Sequence, residues 1–63
     1  MTEFGEELRK LRKEKGLSIR KLGELSGVAH SYLSQVETGK RGVPKADTLK
    51  KIAAGLNIPF VDL

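Results

Sequence analysis

Ser18-Ile19-Arg20-Lys21-Leu22-Gly23-Glu24-Leu25-Ser26-Gly27-Val28-Ala29-His30-Ser31-Tyr32-Leu33-Ser34-Gln35-Val36-Glu37-Thr38-Gly39 carries two short helical stretches, each closed by a glycine. Ser18 stands where a side-chain oxygen caps a helix over 19–26, whose buried side is expected to hold Leu22 and Leu25. Gly27 is a natural stop, because a residue ending a helix in the left-handed region is penalised by a Cβ. A further helix over 29–37 follows, with Leu33 and Val36 facing inward and Gly39 ending it.

Two short helices joined by about three residues around Gly27 form a helix-turn-helix unit. Upstream, Thr2 is a suitable cap, and Phe4, Leu8 and Leu11 recur at helical spacing before Gly16, which predicts a helix over 2–15. Gly5 inside that helix costs about 1 kcal/mol relative to Ala, so a close approach by another segment is expected there. Downstream, the turn-rich Lys40-Arg41-Gly42-Val43-Pro44 leads to a helix over 45–55 with Leu49, Ile52, Ala53 and Leu56 on its apolar face. Asn57 and Pro59 break it, and Phe60 with Leu63 opens a last helical turn. No strand-like alternation, repeat or low-complexity stretch occurs. The reading is all-α: a compact bundle of five short helices.

Length and composition narrow the function classes. Sixty-three residues make one domain, 1–63. Apolar residues are 38 % of the chain, in runs far too short to span a bilayer, and with no cationic-then-apolar stretch no secretory signal is expected. With no cysteine, a reducing cytoplasm is the expected compartment. One histidine and eight scattered carboxylates offer no catalytic or metal-binding constellation, so neither an enzyme nor a cofactor or metal site is expected. A chain below ~70–80 residues seldom gains more than a few kcal/mol from its core. Oligomerisation, or a longer parent chain with a further C-terminal part, is therefore expected.

Net charge is +4, and its distribution says more than its size. The run Arg9–Lys15 is nearly balanced by Glu3, Glu6, Glu7 and Glu14, and acids early with bases late simply suit the helix dipole. Between Lys40 and Lys51, however, Lys40, Arg41, Lys45, Lys50 and Lys51 face Asp47 alone. With Lys40, Arg41 and Lys45 in or beside a loop, a polyanion is the better reading, although a merely soluble surface has the same signature.

From Ser26 to Val36, eleven consecutive residues include no Asp, Glu, Lys or Arg. With Leu33 and Val36 inward, the opposite face of helix 29–37 carries His30, Ser31, Ser34, Gln35 and Thr38. A face meant only for solvent generally uses Lys and Glu. Short or planar hydrogen-bonding groups suit base edges in a major groove: Gln pairs bidentately with adenine, Ser and His bond several bases, and Ala29 fits a thymine methyl. The bland alternative is that these residues avoid charge for local packing.

Leu8-Arg9-Lys10-Leu11-Arg12, Gly16-Leu17-Ser18, Leu22-Gly23, Gly27-Val28, Ser31 through Glu37, Gly39-Lys40 and Leu49 through Leu56 together resemble the Cro/phage-repressor (XRE-type) helix-turn-helix family. The resemblance covers nearly the whole chain and implies a lambda-repressor-like fold. It implies that Ala29, His30, Ser31, Ser34 and Gln35 contact bases. It likewise implies that Ser18, Arg20, Tyr32, Lys40, Arg41 and Lys45 meet phosphate. Arg12 and Glu37 match a structural ion pair, and Gly23 matches a position where the family more often has Ala. Ile19 departs from the family's common Gln, leaving Arg20 to take over that phosphate contact.

The implied function is sequence-specific binding of double-stranded DNA by a transcriptional repressor, as a homodimer on a pseudo-palindromic operator. The alternatives are a protein-interaction module on the same fold, or an antitoxin or restriction controller that also binds DNA.

Overall fold

The chain opens into a helix that is acidic at its start and basic at its end, the order a helix dipole favours. This is α1 (Glu3–Glu14), with Glu3 and Glu6 in its first turn and Arg12 and Lys13 in its last. The computed structural model describes residues 3–63, so the expected cap at Thr2 lies outside the described residues. Next come α2 (Ile19–Ser26), α3 (His30–Thr38) and α4 (Ala46–Leu56). Ser18 caps α2 as its side chain promised, accepting a hydrogen bond from the Lys21 amide at 3.0 Å.

Among the described residues four α-helices form, not five. The last element is a single 3-10 turn over Phe60–Asp62. The Asp62 amide bonds the Pro59 carbonyl and the Leu63 amide bonds the Phe60 carbonyl, each three residues back. That is the tighter pattern short helical pieces adopt. Two starts also shift by one residue: Ala29 precedes α3 and Lys45 precedes α4 as capping positions. Helix ends fall where left-handed residues permit them, at Gly27 (φ 73°), Gly39 (φ 86°) and Asn57 (φ 58°).

Leu8, Leu22, Leu33, Val36, Ile52 and Leu56 are buried together, drawn from all four helices. Removing each such side chain from water stabilises the fold by about 1.5–3 kcal/mol. Phe4, Leu11, Leu17, Ile19, Val28, Tyr32, Ile58 and Leu63 pack around them, partly buried.

Two glycines set the helix spacings. A Cβ on Gly5 would overlap the Val36 carbonyl oxygen and lie 2.8 Å from that of Glu37, so α1 crosses directly under the last turn of α3. A Cβ on Gly55 would lie 2.9 Å from the Ser26 Cβ and 3.0 Å from its amide nitrogen, which brings α4 against the end of α2.

This second contact overturns the expectation for Leu25. Leu25 is 50 % exposed, while Ser26 is 8 % exposed. With Gly55 pressed against Ser26, the inward edge of α2 runs from Leu22 to Ser26, and Leu25 is rotated outward. Ser26 is satisfied there, its hydroxyl accepting from the Val28 amide at 3.2 Å and donating to the Gly23 carbonyl at 3.5 Å.

Candidate nucleic-acid interface

Leu33, Val36 and Glu37 draw α3 into the bundle, and that fixes what the helix presents outward. His30, Ser31, Ser34 and Thr38 are exposed, as is Ala29 just before the helix; Tyr32 and Gln35 lie half-buried at its flanks. The helix is tightly seated at its start. A Cβ on Gly23 would come within 3.0 Å of the Val28 carbonyl oxygen and 3.2 Å of the His30 Cβ. The family's Ala at this position therefore needs a shift of a few tenths of an ångström here. Thr38 donates its hydroxyl to the Ser34 and Gln35 carbonyls at 3.1 and 3.3 Å, so that group is spent within the helix.

The loop after α3 folds back onto it. The Gln35 carbonyl accepts from the Lys40 amide at 2.9 Å and the Arg41 amide at 3.2 Å. Arg41 then reaches further: its Nε donates to Gln35 Oε1 at 2.9 Å, and its guanidinium carbon lies 5.7 Å from the centre of the Tyr32 ring. Gln35, Tyr32 and Arg41 are thus gathered into one cluster. Gln35 and Arg41 are six positions apart across the helix end and loop, and no sequence periodicity marks such a contact.

Ser18, Arg20, Lys40 and Lys45 are all exposed. Ser18 uses its oxygen as the cap acceptor and retains its own O–H to donate. Among the described residues no carboxylate pairs with Arg20, Lys40 or Lys45. Their charge is available to an anion outside the chain.

Behind the presented face stands an ion pair. Arg12 Nε donates to Glu37 Oε2 at 2.8 Å and Nη2 to Oε1 at 3.0 Å, while Nη1 donates to the Leu17 carbonyl at 2.8 Å. The two side chains are only 13 % and 7 % exposed. The hydrogen bond to Glu37 raises the pKa of the Arg12 guanidinium; desolvation opposes it and the Glu37 charge adds to it. The pair joins α1 to the end of α3 and the Leu17 backbone, and bidentate geometry of this kind fixes orientation as well as charge. Among the described residues there is no cavity, no group of three His, Cys, Asp or Glu side chains placed to hold a metal ion, and no helix long and apolar enough to cross a membrane.

The same helical fold recurs in known proteins. The helix-turn-helix family profile matches residues 8–63. This chain belongs to the helix-turn-helix family. Over all 63 residues it is 49 % identical to the HTH-type transcriptional repressor RghR of Bacillus subtilis, and that match covers 47 % of RghR. The restriction-modification controller protein C.AhdI from Aeromonas hydrophila superposes with a TM-score of 0.85 at 42 % identity, over 94 % of this chain and 88 % of that one. SinR, the master regulator for biofilm formation, solved in complex with DNA, superposes with a TM-score of 0.84 at 38 % identity, over 90 % of each chain. This helix-turn-helix chain spans about half the length of the curated relatives it matches, 47 % of RghR and 45 % of RghRB.

Proposed function

We propose that the chain is the DNA-reading domain of a cytoplasmic transcriptional repressor that lays α3 in the major groove of a double-stranded operator. The observation that carries this reading is the outward face of α3. Ala29, His30, Ser31 and Ser34 are exposed and Gln35 lies at their edge, with no carboxylate among them to repel phosphate. These five side chains contact base edges and supply discrimination. Ser18, Arg20, Tyr32, Lys40 and Lys45 contact phosphates and supply register and most of the affinity. The DNA complex of SinR and the name of RghR as a repressor support the assignment. Neither catalysis nor a cofactor enters it.

Two copies act together. The longest extent of the domain is 24 Å, short of the about 34–36 Å between half-sites one helical turn apart. One copy reads one half-site, and a homodimer reads a pseudo-palindrome.

Selection of bound duplexes from a random pool at fixed salt tests the proposal. An enriched motif with two inverted half-sites is expected. A pool left unenriched by the assembled full-length protein overturns the reading and leaves a protein-interaction role for the same face.

A further inference from the structure

Arg41 belongs to the cationic loop, where its simplest role is a charge beside phosphate. Its side chain is not free to serve as a mobile charge. Nε is committed to Gln35 Oε1 at 2.9 Å, its own amide is bonded to the Gln35 carbonyl at 3.2 Å, and the guanidinium lies over the Tyr32 ring at 5.7 Å. Two side-chain contacts and one backbone hydrogen bond thus hold Arg41 against α3, two of the three to Gln35, the one residue of the presented face with a carboxamide.

A Gln side chain with nothing beside it has three rotatable bonds and can turn either end of its amide toward a base. Here a charge-assisted bond distinguishes the two ends, since only the oxygen accepts from a guanidinium. We propose that Arg41 is a positioning residue for sequence discrimination: it holds the Gln35 carboxamide by its oxygen and leaves the Nε2 donors to face the groove. The inference rests on the reading of α3 as the element that enters the groove.

A base preference follows. Bidentate recognition of adenine needs both ends of the amide, with the oxygen accepting from N6 and the nitrogen donating to N7. In this chain one of the oxygen's two lone pairs already accepts from the Arg41 guanidinium, whose positive charge also sits against a second donor such as adenine N6. Guanine presents two acceptors, N7 and O6, and no donor on that edge, so it suits an amide offering its nitrogen. The Arg41–Gln35 unit therefore shifts preference toward guanine, where an unrestrained Gln pairs with adenine.

The experiment is pool selection with the full-length protein and with Gln35→Ala, Arg41→Lys and Arg41→Ala, followed by binding to the winning duplex and its single-base variants. Gln35→Ala identifies the base pair that Gln35 reads, as the position whose preference disappears. At that position the wild type is expected to enrich guanine. Arg41→Lys keeps the positive charge and loses the planar Nε–H, so discrimination there is expected to fall about tenfold, within the range of one bidentate contact. All other positions of the motif keep their preferences. Arg41→Ala in a Gln35→Ala background adds no further loss of discrimination at that pair.

Adenine at that position in the wild type overturns the inference. So does an unchanged motif in Arg41→Lys and Arg41→Ala with equal weakening on every duplex, which assigns Arg41 to phosphate. Failure of the wild type to enrich any motif removes the groove reading itself, a result distinct from either of these.

Discussion

Arg12 and Glu37, twenty-five positions apart, meet through two N–H···O bonds of 2.8 and 3.0 Å with both side chains largely shielded from water. Removing one partner leaves the other charge stranded, which for a buried pair costs about 3–5 kcal/mol. Arg12→Ala also strips the Leu17 carbonyl of its side-chain donor. A loss of about 3 kcal/mol is expected by urea unfolding, against the few kcal/mol that a domain of this size holds. The double replacement Arg12→Met with Glu37→Met is expected to cost less than Arg12→Ala alone, because no charge is then left unpaired. The pKa of Arg12 is raised by folding, so its contribution is complete below the unfolded arginine value and is lost only as pH climbs through the higher folded one. Arg12 thus brings no stability loss at neutral pH. A single-variant loss under about 1 kcal/mol would place the pair with ordinary surface bridges.

Gly5→Ala sets helix propensity against packing. Propensity alone favours Ala by about 1 kcal/mol. The new methyl, however, meets the Val36 and Glu37 carbonyl oxygens, which are backbone and cannot swing aside. Overpacking of this kind costs about 1–3 kcal/mol, so with the propensity gain set against it a net loss of up to about 2 kcal/mol is expected. Gly42→Ala is the control, since a Cβ there has nothing within 4 Å. Melting temperatures of the two variants decide it: equal values would mean that α1 shifts freely over α3.

Helix existence and order were legible in the residues because apolar spacing, caps and glycine stops all agreed over Ser18–Gly39. The rotation of α2 was not. Leu22 with Leu25 and Leu22 with Ser26 are both helical spacings, and the choice between them is made by Gly55, thirty residues away, which no local pattern reports. The same limit applied to the last element: Phe60 and Leu63 have helical spacing, yet the three residues Phe60–Asp62 close only as a 3-10 turn. At the candidate interface the residue types of α3 were legible, whereas the bond from Arg41 to Gln35 depends on how the loop returns, and the family resemblance reads Arg41 only as a phosphate contact.

The rotation of α2 has a direct test. Leu22 is fully buried and Leu25 half-exposed. Leu22→Ala is expected to cost about 2–5 kcal/mol, while Leu25→Gln stays within about 0.5 kcal/mol of the wild type. Denaturant midpoints of the two variants give the comparison. Equal large losses would restore Leu25 to the inward edge.

The cationic loop is expected to act on all duplexes alike. Lys45 is exposed just before α4 and has no carboxylate partner among the described residues. Neutralising one phosphate releases condensed counterions, so each such contact adds about 0.9 to the magnitude of the slope of log affinity against log salt. Lys45→Ala is therefore expected to weaken specific and unselected DNA by the same factor and to reduce that slope by about 1. Titrations at several salt concentrations, on the selected duplex and on a scrambled one, measure both quantities. A loss confined to the selected duplex would make Lys45 a base reader. An unchanged slope would show that its charge stays in solvent when the complex forms.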